Sequence, residues 1–176
     1  MDSFKNALAF VLLQEGGFCD HPADRGGATN KGITQQVYNS HRQKKGLAVR
    51  SVRDIEDQEV VDIYRVGYWE AAGCDKMKDP DLQLLVFDWA VNSGPGVPVK
   101  RLQKLVGVAQ DGKAGPATLA AIAKYREKYG AKMVAQLTVQ RVRFYMDLVA
   151  NNPRQGVFLE GWLRRSMDLL EAILEN

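Results

Sequence analysis

The 176-residue chain has little cysteine, no long apolar run and almost no excess of charge. Its two cysteines, Cys19 and Cys74, are too few for a disulfide framework, and neither belongs to a CxxC pair. We expect two free thiols, with a disulfide between Cys19 and Cys74 as the alternative. No apolar run approaches the roughly 18 residues that span a bilayer, so stable membrane insertion is not expected. The net charge of +3 is too small to indicate a nucleic-acid partner.

What is present is typical of a folded globular protein, with 45% hydrophobic and 26% charged residues. The two histidines, His21 and His41, have no cysteine or carboxylate at ligand spacing, so we predict neither a metal site nor a cofactor. The N-terminus carries Asp2 ahead of Lys5 and lacks the basic start and small-residue cleavage site of a signal peptide. We therefore expect the protein to accumulate in the cytoplasm until it is released.

The first segment predicts an amphipathic helix that ends at a glutamate. Its helical face, spaced at i, i+3, i+4, i+7, i+8 and i+11, consists of Phe4, Ala7, Leu8, Val11, Leu12 and Glu15. Ser3 is the expected N-cap, and Gly16 with Gly17 should end the helix. Glu15 is therefore expected on the last turn, facing inward.

The rest of the chain predicts a mainly α fold, which counts as α+β because it includes one small β-hairpin. Residues 17–33 contain four glycines and a proline, which suit tight turns and a hairpin. Helical patterns dominate from Thr34 onward and bring the total to about seven helices. They include one from roughly Asp54 to Ala72, one opened by Asp79 and Pro80, and a short one over VPVKRLQKLVG that ends at Gly107. No linker separates the halves at the NSGPG break, so we expect one domain over residues 1–176, with a weak internal boundary between 1–93 and 94–176.

Two carboxyl groups in unlike surroundings are the basis of the functional hypothesis. Apolar neighbours should favour the protonated form of Glu15, whereas Asp24, in a polar glycine-rich turn, should stay ionised. Hydrolysis of a glycosidic bond needs a protonated carboxylic acid together with a second polar group that activates water. From the residues alone, Glu15 could still be a surface glutamate, and Asp24 a turn residue with Asp20 as a rival.

The spacing of these residues resembles that of known wall-degrading enzymes. Glu15 is followed by eight residues, Asp24, four residues and Thr29, which is similar to phage-type lysozymes with one residue fewer before the threonine. The string EGGFCDHPADRGGATNKGIT resembles the N-terminal signature of the glycoside hydrolase 108 family of N-acetylmuramidases, which includes many phage endolysins. VFDWAVNSGPG and VGVAQDGKAGPATLAAI resemble the peptidoglycan-binding segment that follows in that family.

The resemblance implies a lysozyme-like fold and hydrolysis of the β-1,4 bond between N-acetylmuramic acid and N-acetylglucosamine. Glu15 would be the general acid, and Asp24 and Thr29 would hold the attacking water in an inverting arrangement. We predict substrate contacts from Asn30, Trp69 and Asn92. The residue types alone leave structural roles open for them: Thr29 could bond local backbone, Trp69 could be core, and Asn92 could cap a helix.

Other functions are compatible with parts of the pattern. A lytic transglycosylase would need one glutamate and no Asp24, a chitinase would cut a polymer without muramic acid, and a non-catalytic wall-binding module would use the glycine-rich loop only as a turn. The resemblance further implies peptidoglycan glycan strands as the partner and a holin-type pore for export, and the expected state is a monomer.

Overall fold

The structure is a computed structural model that describes residues 2–20 and 27–175. Over these residues it contains eight α-helices and one two-stranded antiparallel sheet, which confirms the mainly α fold with a small hairpin. The chain divides into two compact units, Met1–Tyr68 and Trp69–Asn176. None of the described helices is long and apolar enough to cross a membrane. The predicted halves at 1–93 and 94–176 stay a prediction.

The first unit contains three α-helices and the hairpin. In chain order it has α1 (Ser3–Gln14), β1 (Thr29–Asn30), β2 (Ile33–Thr34), α2 (Gln35–Lys44), a 3-10 turn (Val52–Asp54) and α3 (Asp57–Tyr64), after which a π-helical turn (Arg65–Glu70) begins. The second unit is helical and contains a 3-10 turn (Cys74–Lys76), α4 (Pro80–Ser93), α5 (Gly96–Val106), α6 (Pro116–Tyr129), α7 (Lys132–Asn151), a 3-10 segment (Pro153–Phe158) and α8 (Leu159–Leu174).

Helix α1 carries Glu15 at its C-terminal end. The Asp2 carboxylate accepts a hydrogen bond from the Phe4 N–H at 3.1 Å, so the N-cap is Asp2 and the prediction of Ser3 was wrong by one residue. The last helical residue is Gln14, and Glu15 is the C-cap with extended backbone (φ −87°, ψ 136°). Glu15 therefore lies just beyond the last turn. The predicted apolar face is largely buried, at Phe4, Ala7, Leu8 and Val11.

The hairpin is closed by a two-residue turn at Lys31 and Gly32. Thr29 pairs with Thr34 and Asn30 with Ile33, and both turn residues have positive φ, 49° at Lys31 and 74° at Gly32. Positive φ at both central residues is the geometry of a type I′ turn, which matches the twist of antiparallel strands. Glycine adopts this conformation without a steric penalty, whereas a lysine in it is strained.

A buried polar cluster joins α2 to α3. Glu59, 8% exposed, accepts hydrogen bonds from the Tyr38 hydroxyl at 2.6 Å, from Arg42 at 2.6 Å and from Arg50 at 3.1 Å. Burial alone would raise the pKa of this carboxyl group, but the hydrogen bonds from Tyr38 and the Glu56 backbone and the charge of Arg42 lower it below its ordinary value. The cluster fixes α3, which carries Tyr64 at its end.

The second unit is held by a buried ion cluster of its own. Asp88 of α4 is fully buried and pairs with Arg141 of α7 at 2.7 Å and with Arg165 of α8 at 2.8 Å. These pairs fix three helices to one another. Removing one member of such a buried cluster leaves an uncompensated charge, which is far more costly than losing a surface pair.

Candidate active site

The Glu15 carboxylate lies against the tip of the hairpin. A methyl group placed on the Gly32 Cα would lie 2.8 Å from Glu15 Oε2 and 2.9 Å from Glu15 Cδ. Because real Cβ atoms essentially never approach other atoms this closely, the carboxylate occupies the space that any other residue at position 32 would need. Glu15 itself is half-buried. The end of α1 and the turn between β1 and β2 therefore meet at this carboxyl group.

Tyr64 forms a second boundary of the same small region. Its hydroxyl donates a hydrogen bond to the Lys31 carbonyl at 2.8 Å and would lie 2.6 Å from a methyl group on Gly32. The ring is 1% exposed. Glu15, the Lys31–Gly32 turn and Tyr64 thus come together from three elements, namely α1, the hairpin and α3.

Tyr68 follows one turn later, in the π-helical turn. Its ring packs against Tyr64 with the ring centroids 5.6 Å apart, and it is half-buried. Burial and the nearby charge of Glu15 raise the pKa of Tyr68 above its ordinary value. An aromatic ring that is partly open to solvent beside a carboxylate is a suitable surface for a sugar. Single π-helical turns are also frequent at functional sites.

Thr29 lies on β1, opposite the segment that follows Glu15. Cys19 and Thr29 exchange two backbone hydrogen bonds of 2.8 Å, so the chain turns back toward the hairpin soon after α1. The Thr29 hydroxyl donates to the Gly27 carbonyl at 3.3 Å, a local backbone contact. Asp24, the predicted partner of Glu15, lies outside the described residues, as does His21. The roles predicted for Asp24 and Thr29 stay predictions.

Asn30 is buried rather than open to solvent, with 8% of its surface exposed. Its side-chain amide donates hydrogen bonds of 3.1 Å to the carbonyls of Val52 and Arg53. These bonds attach β1 to the 3-10 turn before α3. In the structure Asn30 therefore holds β1 in place. Its predicted contact with substrate stays a prediction.

The two other predicted substrate contacts belong to the second unit. Trp69 is 3% exposed and packs edge-on against Phe87, with 5.4 Å between ring centroids. Asn92, near the end of α4, accepts a hydrogen bond from the Tyr145 hydroxyl at 2.8 Å. Both side chains therefore have structural partners within their own unit. Their proposed contacts with sugars stay predictions.

Three site residues were missed by the sequence reasoning, namely Gly32, Tyr64 and Tyr68. Tyr64 and Tyr68 belonged to an aromatic run at helical spacing, a pattern that more often indicates core. Gly32 was one of several glycines in the loop. The local signal was weak: glycine suits the second central position of a type I′ turn, but Lys-Gly is not among the dipeptides that such turns prefer, which are Asn-Gly, Asp-Gly and Gly-Gly.

The described residues give no indication of a bound metal. Within 2–20 and 27–175, no group of three or more histidine, cysteine, aspartate or glutamate side chains could hold an ion. Cys19 is exposed, Cys74 is buried, and both are free thiols.

Comparison with known proteins places this geometry in a family. The profile described as Glycosyl hydrolase 108 matches residues 8–94, and the one described as Predicted Peptidoglycan domain matches residues 97–167. The solved structure of Brucella abortus SagA has a TM-score of 0.79 at 33% identity, covering 98% of this chain and 94% of that chain. The chain belongs to the glycosyl hydrolase 108 family. No curated protein matches it significantly.

The family assignment confirms the resemblance found in the sequence. The glycosyl hydrolase 108 match contains Glu15, Gly32, Tyr64 and Tyr68, and the peptidoglycan match begins at residue 97. The protein is therefore a glycoside hydrolase with a peptidoglycan domain on its C-terminal side. Peptidoglycan is thereby supported as its binding partner.

Within the peptidoglycan domain, one side chain organises the DGKAGP turn. The side-chain amide nitrogen of Gln103, a residue 1% exposed, lies within hydrogen-bond distance of three oxygens, those of Asp111 at 2.7 Å, the Lys113 carbonyl at 3.0 Å and Thr118 at 3.1 Å. The Gln103 side-chain oxygen accepts the Gly112 N–H at 2.9 Å. The sequence motif singled out by the resemblance is thus a loop fixed on α5 by a single glutamine.

Proposed function

We propose that the protein is an N-acetylmuramidase of the endolysin type, which hydrolyses the β-1,4 bond between N-acetylmuramic acid and N-acetylglucosamine in peptidoglycan. The observation that carries this proposal is the Glu15 carboxylate held against Gly32 at the hairpin tip. A glutamate fixed at the end of a helix beside a hairpin suits a general acid, because proton donation requires a defined position relative to the leaving oxygen.

In the proposed reaction, protonated Glu15 donates its proton to the glycosidic oxygen while the bond from that oxygen to C1 of muramic acid breaks. Positive charge develops on C1 and the ring oxygen in an oxocarbenium-like transition state. Asp24 and Thr29 hold a water on the opposite face, Asp24 takes its proton, and the new C1–O bond inverts the anomeric centre. Proton exchange with solvent then restores both carboxyl groups.

Tyr68 adds a candidate sugar contact to those predicted at Asn30, Trp69 and Asn92. Tyr68 is the half-buried ring beside Glu15, whereas Trp69 is only 3% exposed. A ring contributes to sugar binding through its open face, so we favour Tyr68 for stacking. Tyr68→Ala should raise KM more than it lowers kcat, because stacking contributes to ground-state and transition-state binding alike.

The test is mass spectrometry of the products that the protein releases from purified peptidoglycan. The wild type should produce reducing N-acetylmuramic acid ends, and Glu15→Gln should release none while retaining the helical circular dichroism spectrum. Glu70→Gln, at an exposed glutamate, is the matched control and should be fully active. Full activity of Glu15→Gln would refute the proposed acid.

The same digest separates the alternatives. Anhydro-muramyl ends instead of reducing ends would select a lytic transglycosylase, and an active Asp24→Asn variant would point the same way. Cleavage of a polymer without muramic acid would select a chitinase. Sedimentation of the protein with insoluble wall but without release of sugar would select a binding module.

The route to the wall is a separate part of the proposal. We propose that the protein accumulates in the cytoplasm as a monomer and reaches peptidoglycan through a holin-type pore, as the family resemblance implies. Lysis upon expression of the protein alone, without any membrane permeabilisation, would contradict the need for such a pore. Light scattering of the purified protein would measure its oligomeric state.

A further inference from the structure

The hairpin tip carries backbone strain at a residue that is not glycine. Lys31 has a φ of 49°, in the left-handed region that L-residues other than glycine rarely adopt because the Cβ atom is crowded there. Strain of this kind persists only where surrounding contacts hold the backbone in place, and it is frequent at functional sites. The contacts that hold Lys31 therefore indicate what fixes the tip.

Both contacts described for Lys31 come from α3, at opposite ends of that helix. The Lys31 ammonium pairs with Asp57 at 2.6 Å, and the Lys31 carbonyl accepts the Tyr64 hydroxyl at 2.8 Å. The Asp57 side chain is 91% exposed, so the ion pair contributes little. The Tyr64 side chain is 1% exposed, and its part-buried hydrogen bond to a strained residue contributes more than the solvent-exposed ion pair. Tyr64 is therefore the main restraint on the turn.

The Lys31–Gly32 turn also limits the space that the Glu15 carboxylate can occupy. Gly32 follows Lys31 directly, and its Cα faces both the Tyr64 hydroxyl and the Glu15 carboxylate at a distance that leaves no space for a methyl group. A movement of the Lys31–Gly32 turn toward or away from α1 would consequently change the space available to the carboxylate.

We propose that Tyr64 is a positioning residue for Glu15, acting through the Lys31–Gly32 turn that its hydroxyl holds. The proposal rests on the proposed role of Glu15 as the general acid. Tyr64 acts on the reaction only through the place of that carboxyl group. Its loss should therefore lower kcat and leave KM nearly unchanged, since the sugar contacts themselves are not altered.

The test compares two buried tyrosines of the same unit. Tyr64→Phe removes the hydroxyl that holds the turn, and Tyr38→Phe removes a hydroxyl that is equally buried, at 0% exposure, and bonded at 2.6 Å to Glu59. Both variants keep the ring. Tyr64→Phe loses the bond to the Lys31 carbonyl, whereas Tyr38→Phe loses the bond to Glu59 and the bonds that Tyr38 accepts from Arg42 at 3.1 Å and Arg50 at 3.2 Å. If the hydroxyls served stability alone, Tyr38→Phe should therefore lose at least as much activity as Tyr64→Phe.

The measurements are kcat and KM on purified peptidoglycan, the melting temperature, and crystal structures of both variants and the wild type. Tyr64→Phe should lower kcat about 10- to 100-fold, the size expected for a displacement of up to about 1 Å, with the Glu15 carboxylate visibly displaced. Tyr38→Phe should lower the melting temperature, with kcat and the carboxylate position as in the wild type.

Two results would overturn the inference: an unchanged Glu15 position in the Tyr64→Phe crystal structure, or a loss of kcat in Tyr38→Phe as large as in Tyr64→Phe. Failure of the proposed function looks different. A wild type that releases no reducing muramic acid ends would refute the muramidase proposal, whereas the crystal structures would still decide whether Tyr64 positions Glu15.

Discussion

Two glycines with the same backbone conformation give a sharp test of the site. Gly32 has a φ of 74° and Gly46 a φ of 69°, so alanine at either position adopts a left-handed conformation that costs about 1–2 kcal/mol. Their surroundings differ. An added methyl group at Gly46 meets nothing within 4 Å, whereas at Gly32 it would lie 2.6 Å from the Tyr64 hydroxyl and 2.8 Å from Glu15 Oε2.

The overlap at Gly32 sets the size of the expected effect. Ordinary van der Waals contact begins at 3.4 Å, so the tyrosine hydroxyl or the turn must move by about 0.8 Å and the carboxylate by about 0.6 Å. Overpacking of this kind costs a further 1–3 kcal/mol or so. Displacement of a catalytic group by close to 1 Å can reduce the rate about 100-fold. Gly32→Ala should therefore lose both stability and kcat.

The assay is the release of reducing ends from purified peptidoglycan, at a temperature where circular dichroism shows both variants to be folded. Gly46→Ala should unfold at a lower temperature than the wild type and retain its kcat. Gly32→Ala should unfold lower still and retain on the order of one hundredth of the kcat. A folded Gly32→Ala variant with wild-type kcat would refute the packing of Glu15 against the hairpin tip.

Three further predictions concern the buried groups. The pKa of Glu59 is lowered on folding, so its contribution to stability is present at neutral pH and is lost as the pH falls below the ordinary value of 4.5. In Glu59→Gln the melting temperature should therefore fall less steeply with acidification than in the wild type. Asp88→Asn, which leaves two buried guanidinium groups without their carboxylate, should lower the free energy of unfolding by about 3–5 kcal/mol in urea titrations. Burial raises the pKa of the Cys74 thiol, so one thiol per native chain, that of Cys19, should react quickly with a disulfide reagent; two fast thiols would contradict this packing.

Helix boundaries with clear local signals could be predicted from the sequence. Asp79 accepts hydrogen bonds from two N–H groups at the start of α4, and Pro80 is the first helical residue, as the Asp-Pro pair predicts. Gly107, with a φ of 77°, ends α5 where expected. These signals act within a few residues of each other, so a single sequence contains all the necessary information.

The segment from Asp54 to Ala72, expected as one helix, is divided in the structure. It forms a 3-10 turn at Val52–Asp54, α3 at Asp57–Tyr64 and the π-helical turn at Arg65–Glu70. The start of α3 is set by a capping box in which the Glu59 side chain accepts the Glu56 N–H. Apolar spacing does not distinguish these winding states over a single turn, so periodicity joined them into one helix.

The supports of Glu15 could not be predicted because they depend on contacts between distant parts of the chain. Gly32 is 17 residues away and Tyr64 is 49 residues away in sequence. The hairpin was expected, but the choice of Gly32 among the loop glycines depends on which turn residue meets α1. That choice is made by strand register and by the hydrogen bond between Tyr64 and Lys31, neither of which leaves a local pattern.

Burial alone would have selected carboxyl groups other than the proposed acid, Glu15. Glu59 is 8% exposed and Asp88 is fully buried, whereas Glu15 is only half-buried. A general acid must be able to hold a proton near neutral pH, and carboxylates paired with guanidinium groups are stabilised as anions. Glu59 pairs with two arginines and Asp88 with two others, so both serve to join helices. Glu15 differs in its surroundings, because the groups that shape its space include a glycine backbone and tyrosine rings. If Glu15 is the acid as proposed, stability and catalysis depend on different carboxyl groups, so variants at Glu15 and Glu59 should separate loss of activity from loss of folding.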